Sequence, residues 1–279
     1  MKKIASVLLF LKLGFASLLC AKVCTWKLSE IITDDPIHYY ASNVKYDAVS
    51  EGNDLAVVVM DLDGDGNNEL FVTSPSVSDE NNGNNADWFW YAFKNIGDGK
   101  WALFERDLEM FGKDVSFSYK HASIVTIFGN PCIVDIGHAG GGMVSVTFTF
   151  MREGMIKSIH INDISIDADY LDLEDEDSMF IKCISNDKLG KPEFKLYEFD
   201  RRSILNGTQK APYDEIISSK LGVAPRLVVP SNNKYWNNFR ELAKASGISV
   251  EKTVSAAQAP IVPYSTDLIA ELNIWGWHR

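Results

Sequence analysis

The stretch Val57-Val58-Val59-Met60-Asp61-Leu62-Asp63-Gly64-Asp65-Gly66-Asn67-Asn68-Glu69-Leu70-Phe71-Val72 sets four short acids around two glycines, between two apolar runs. Hard divalent cations take about six to eight oxygen ligands, which a chain supplies locally by turning tightly with acidic side chains aimed inward. The segment therefore reads as a calcium loop. Asp61, Asp63 and Asp65 offer carboxylate oxygens, Gly66 permits the turn, the Asn67 backbone carbonyl is expected to point inward, and Glu69 closes the shell. The flanks Leu55 to Met60 and Leu70 to Thr73 are rich in Val, Leu and Phe, which favours strands entering and leaving the loop. An EF-hand begins in the same way but needs a bidentate Glu at its twelfth position and helices on both sides. Counting from Asp61, the twelfth position is Val72, so that assignment fails.

A strand, calcium loop, strand arrangement with its acid at the ninth position resembles the FG-GAP or VCBS repeat of integrin-like β-propeller blades. The resemblance covers about residues 55–105. Within that span Trp88 to Phe93 and Trp101 to Phe104 flank Asn95-Ile96-Gly97-Asp98-Gly99-Lys100, which looks like the second hairpin of such a blade. The resemblance implies Ca2+ as cofactor, with Asp61, Asp63, Asp65, Asn67 through its backbone, and Glu69 as metal ligands. The family usually carries Asp at the ninth position, so Glu69 departs from the pattern. An acidic hairpin that binds no metal is the alternative.

Outward from the loop, short β-like runs alternate with turn residues from about Leu55 to Phe199, as in sandwiches, barrels and propellers. Ala122 to Phe128, Cys132 to Gly137, Val144 to Met151 and Met155 to Ile161 form a second unit of four runs, with a hairpin at Arg152-Glu153-Gly154 and no calcium loop. A third, shorter pair of strands is expected at Met179 to Ser185 and Glu193 to Asp200. The predicted fold is mainly β and antiparallel, with propeller-blade-like repeats in a partial or divergent propeller and a small α-helical C-terminal region. Residues 1–21 read as a signal peptide, 22–205 as the β domain, and 206–279 as a helix-containing region packed on it.

In that last region Ser231 is the expected cap of a helix over Asn232 to Ser246. Tyr235, Trp236, Phe239, Leu242 and Ala243 share one face and Gly247 suits the stop. Pro212 to Leu221 is expected as another short helix ended by Gly222. Ser249 to Pro263 reads as an extended connector, followed by a short helix from about Thr266 to before Gly276. Trp275 and Trp277 are expected to dock into the core, with an exposed aromatic patch as the alternative.

At 279 residues and 46% hydrophobic, the chain can build a substantial core. Its 27 basic and 38 acidic residues give a net charge of −11. Removing Lys2, Lys3 and Lys12 with the leader brings this to about −14 by the same counting. Such a charge repels nucleic-acid phosphates and anionic lipid, and prefers cations and basic partners. Met1-Lys2-Lys3 and the apolar run Ile4 to Leu19, ending near Cys20-Ala21, have the form of a secretory signal cleaved after Ala21. The mature chain is thus expected to be secreted or periplasmic and to lack a spanning helix. An uncleaved anchor and lipidation at Cys20 are the alternatives. Cleavage leaves Cys24, Cys132 and Cys183, an odd number, with buried free thiols expected at the last two and a Cys132 to Cys183 bridge as the alternative.

The acids Asp163, Asp167, Asp169, Asp172, Glu174, Asp175, Glu176 and Asp177 form a run without compensating Lys or Arg; a solvated loop is expected rather than a second cation site. Gly137-His138-Ala139-Gly140-Gly141-Gly142 lacks the Lys-Ser/Thr of a phosphate loop and reads as a strand connection, with Asp135 and His138 beside it. The motifs GxSxG and HExxH are absent and no catalytic residue is assigned. The expected function is an exported calcium-binding β module whose calcium orders a hairpin and shapes a surface for a protein or glycan. An exported hydrolase carrying a structural calcium is the alternative.

Overall fold

The computed structural model describes residues 22–43, 54–74, 90–106, 122–140, 143–165, 176–184, 194–222, 224, 226, 227, 229, 233–248 and 250. The expected leader, most of the acidic run, most of the connector, and the final helix with Trp275 and Trp277 lie outside those residues.

The chain enters as β1 (Lys22–Thr33) and α1 (Pro36–Asn43), followed by β2 (Asp54–Met60), β3 (Glu69–Thr73), β4 (Trp90–Gly97) and β5 (Lys100–Arg106). A second set of strands follows as β6 (Ala122–Ile127), β7 (Asn130–Gly140), β8 (Met143–Arg152) and β9 (Met155–Ser165). After these come α2 (Glu176–Ile184), β10 (Lys195–Asp200), α3 (Arg201–Leu205), α4 (Tyr213–Ser218) and α5 (Lys234–Ala245). All ten strands belong to one antiparallel sheet in the order β10-β2-β3-β4-β5-β1-β9-β8-β7-β6. The four-run units anticipated from sequence are two meanders, β2 to β5 and β6 to β9. They do not stand as separate blades, because β1 pairs with β5 on one side and β9 on the other and makes them one sheet.

Side chains alternate between the faces of a strand, and here the alternation assigns each face to a different core. Ala56, Val58, Met60, Phe71, Trp90 and Ala92 of the first meander share a cluster with Trp26 of β1 and Ile124, Ile133, Met151 and Ile156 of the second. The sheet therefore curls about β1, and the inner faces of both meanders close on a common core. Trp26 stacks on Trp90 with ring centroids 3.9 Å apart.

The outer face of the first meander, with Leu55, Val57, Leu70, Phe93 and Trp101, is covered by Ile37 and Tyr40 of α1, Ile204 of α3 and Ile216 of α4. The outer face of the second, with Val134, Phe148 and Ile159, is covered by Phe180 and Ile181 of α2 and Trp236 and Phe239 of α5. Helices thus sit outside a doubled sheet.

The fold corrects several sequence expectations. Of the run Met179 to Ser185 expected as a strand, Met179 to Ile184 lie in α2. A short apolar run is compatible with either element; what decides it is that Asp177, Phe180, Ile181 and Ile184 fall at helical spacing and are buried, with acids in the first turn. The strand expected to pair with it, now β10, instead extends the sheet beyond β2, from Lys195 opposite Val59 to Asp200 opposite Asp54. β1 was not anticipated at all. Gly137 to Gly140 is part of β7 rather than a connection, with Gly137 opposite Ser145. Asn233, not Ser231, caps α5: its Oδ1 accepts from Tyr235 N–H at 2.9 Å and Trp236 N–H at 3.3 Å. α4 is shorter than the Pro212 to Leu221 span, because the chain returns to extended geometry at Ser219.

Other expectations hold. The buried face of α5 carries Tyr235, Trp236, Phe239 and Ala243, and Gly247 follows with φ of 83°. Cys132 and Cys183 are both buried free thiols, and burial raises the pKa of each, that of Cys183 to about 11. No helix among the described residues is long and apolar enough to cross a membrane.

Candidate metal centre

The loop Asp61 to Asn68 joins β2 to β3 at one end of the shared core. Gly64 and Gly66 adopt φ of 73° and 86°. Nothing lies within 4 Å of a Cβ built at either, so backbone conformation rather than space calls for glycine there. Around the glycines the acids accept backbone hydrogen bonds from the loop itself. Asp61 Oδ2 accepts from Gly66 N–H at 2.9 Å, Asp63 Oδ1 from Asp65 N–H at 3.1 Å, and Asp65 Oδ1 from Asn67 N–H at 2.8 Å. These local turns leave each carboxylate with a second oxygen, and one ligand atom from each of Asp61, Asp63 and Asp65 falls within 4.8 Å of the others. The three belong to a turn, not to a helix.

Glu69 is placed by β3 rather than by the loop. It stands opposite Met60 and Lys94 in the ladder, on the same face as Phe71, and is fully buried. Its Oε2 accepts from Leu62 N–H at 2.7 Å, which ties the strand to the start of the loop. Glu69 is not one of the three acids in the tight group; it is joined to them through a cation. Lys94 Nζ lies 2.5 Å from Asp63 Oδ2 and 3.1 Å from both Asp65 Oδ2 and Glu69 Oε1. Asn67 has an exposed side chain and donates its N–H to Asp65.

One ammonium among four carboxylates leaves negative charge in excess. Burial raises the pKa of Glu69 to about 8, with the Asp63 charge adding to it and Lys94 and the Leu62 N–H opposing. Burial also raises Asp61, helped by Asp63 and Asp65 and opposed by the Gly66 N–H. Asp65 resists the upward pull of burial and is held lower by the Asn67 N–H and Lys94. Burial opposes the charge on Lys94, but the bonds to Asp63 and Asp65 and the field of Glu69 hold it above the usual lysine range. The residues fit a divalent cation on two counts. The donors are all hard oxygens, and Asp61 Oδ1 is a buried atom with no hydrogen-bond partner.

Two residues of this neighbourhood escaped the sequence reading. Lys94 follows Trp90 and Ala92 at the strand period, so it occupies an inward position of an aromatic strand, where a lysine needs an acid; that was the available signal. Asn68 is buried, and its Nδ2 donates to Ile216 O at 2.6 Å and Ser219 O at 3.1 Å, which anchors the loop to the end of α4. A cavity of about 610 Å³ opens beside the loop between Met60, Asp61 and Leu62 on one side and Ile124 and Pro131 on the other, with Leu221 on its wall.

Other residues singled out from the sequence do not join this centre. Asp177 pairs with Lys234 at 3.1 Å against α5. Asp135 is buried on β7, opposite Thr147. The side chains of His138 and Asp163, and the acids from Asp167 to Asp175, lie outside the described residues.

Fold and site together define a class: an antiparallel β-sheet protein with an acidic loop at a strand junction. No family model, curated protein or solved structure matches the chain. The likeness to FG-GAP or VCBS repeats therefore rests on the sequence of about residues 55–105 alone.

Proposed function

We propose that this chain is an exported calcium-binding β module. In this reading Ca2+ held by Asp61, Asp63, Asp65 and Glu69, with the Asn67 carbonyl, fastens the β2–β3 loop and shapes the adjoining surface for a protein or glycan partner. The observation that carries it is the convergence of three aspartate carboxylates within 4.8 Å on a glycine turn between strands. The partnerless Asp61 Oδ1 and the excess of acid over base around it support the same reading. Export is supported by the basic start and apolar run of residues 1–21. A net charge of −11 favours cations and basic partners over nucleic acid.

The test is calorimetric titration of the mature protein with Ca2+, paired with thermal unfolding in calcium and in chelator. Wild type is expected to bind one ion per chain and to gain about 2.7 kcal/mol when free calcium is about 100 times Kd. Asp63→Ala is expected to lose both effects. Equal calcium affinity in wild type and Asp63→Ala would reject this ligand set.

A further inference from the structure

We propose that Lys94 is a cation built into the site, holding the acidic loop assembled without metal and leaving its seat when calcium enters. This inference rests on the calcium reading above and adds to it the element that sets affinity and selectivity. The position of Lys94 is fixed by sheet register. Met60, Glu69, Lys94, Ala102 and Ile32 are successive ladder partners across β2, β3, β4, β5 and β1, so they share one face. The row delivers the ammonium to the two loop carboxylates and to the fully buried Glu69, at 2.5 to 3.1 Å. A strand residue thus reaches into a loop nearly thirty positions earlier in the chain and touches three of the site's four acids.

Three consequences follow from the chemistry. The loop's like charges repel, and a cation that arrives with the fold removes part of that repulsion, so the turn is preformed for metal. The ammonium makes charge-assisted hydrogen bonds that an entering ion must replace, so Lys94 lowers metal affinity. Finally, a monovalent ion brings no more charge than Lys94 already supplies and gains nothing by displacing it, whereas a divalent ion does. Lys94 is thereby a selectivity residue for divalent cations. Departure is sterically simple: its side chain is 17% exposed, and the flexible four-carbon stem lets the head turn to solvent while β4 stays in place.

Two measurements on the mature protein test this. In the first, wild type and Lys94→Met are titrated with CaCl2. In the second, Lys94 of wild type is acylated with a water-soluble succinimidyl ester, without calcium and at saturating calcium, and read by mass spectrometry. Lys157, bonded to Ser246 O on the far meander, is the internal reference. Lys94→Met is expected to bind calcium about tenfold more tightly or better, as loss of a competing charge-assisted contact implies. Acylation of Lys94 is expected to rise severalfold with calcium while that of Lys157 stays constant. Calcium binding by Lys94→Met but not by wild type would make Lys94 a permanent occupant that calcium does not displace, and would overturn the displacement role.

If wild type binds calcium through Asp63 while Lys94 stays protected, or while Lys94→Met binds no more tightly, the displacement role is wrong and the calcium reading stands. If neither protein binds calcium, both fall and Lys94 is a permanent ion-pair partner. Should Lys94→Met fail to fold, acylation of the wild type decides.

Discussion

The two meanders reverse their strands by different means. The second uses the smallest turns available: Phe128-Gly129 between β6 and β7, with φ of 51° and 76°, and Glu153-Gly154 between β8 and β9, with φ of 55° and 71°. Both central residues in the left-handed region match the strand twist, as two-residue hairpins require. Among the described residues the first meander uses such a turn only at Asp98-Gly99, with φ of 52° and 68°. Between β2 and β3 it inserts the whole acidic loop. Both outer cores are aromatic: Phe148 of the second lies 4.4 Å from Phe239 and 5.8 Å from Trp236 by centroid, and Phe93 of the first lies 6.1 Å from Tyr39. One half is held mainly by apolar packing and local turn geometry, with discrete polar pairs such as Thr147–His160 at 2.8 Å and Asp177–Lys234 at 3.1 Å. The other also depends on charge being balanced at one end, which makes it the half that can answer to an ion.

The strongest test of that contrast is Phe148→Ala. Removing a fully buried aromatic ring is expected to cost about 3–5 kcal/mol of unfolding free energy. The loss, read by denaturant titration, should be the same with calcium and with chelator. A calcium-dependent loss would mean the halves are coupled more tightly than their separate outer cores suggest.

Next in size is metal withdrawal followed by hydrogen exchange. Chelator should accelerate exchange in residues 61–73 and 90–97 and leave β6 to β9 nearly unchanged, because local openings follow local contacts. Uniform acceleration across both meanders would break the comparison.

The smallest effect is expected from Asn68→Ala, which leaves the Ile216 and Ser219 carbonyls without their side-chain donor. A loss of about 1–3 kcal/mol is predicted, with faster exchange at α4 and a smaller fall in calcium affinity than Asp63→Ala gives. An Asn68→Ala protein as stable as wild type would show that α4 does not brace the loop.

Much of this contrast was legible in the sequence because it is local. The acid and glycine spacing from Asp61 to Glu69, the short β-like runs between turn residues in the two meanders, and the apolar face from Tyr235 to Ala243 all lie within short windows. What escaped depends on partners distant in the chain. Lys94 becomes a site residue only once register sets it beside Glu69. Asn68 matters because α4 passes beneath it, some 150 positions later. The strand at Leu196 and Tyr197 is defined by β2, and α2 was misread because its apolar run fits either periodicity when taken alone. β1 was missed because its role is to bridge, and bridging has no pattern of its own.

That bridging strand has a kinetic consequence. Each meander can form from neighbours along the chain, whereas β1 is made before both meanders and meets its flanks only at Lys100–Arg106 and Met155–Ser165. The entropy of closing those long loops falls on the strand that unites the halves. The seam of the sheet is thus made before either of the halves it joins.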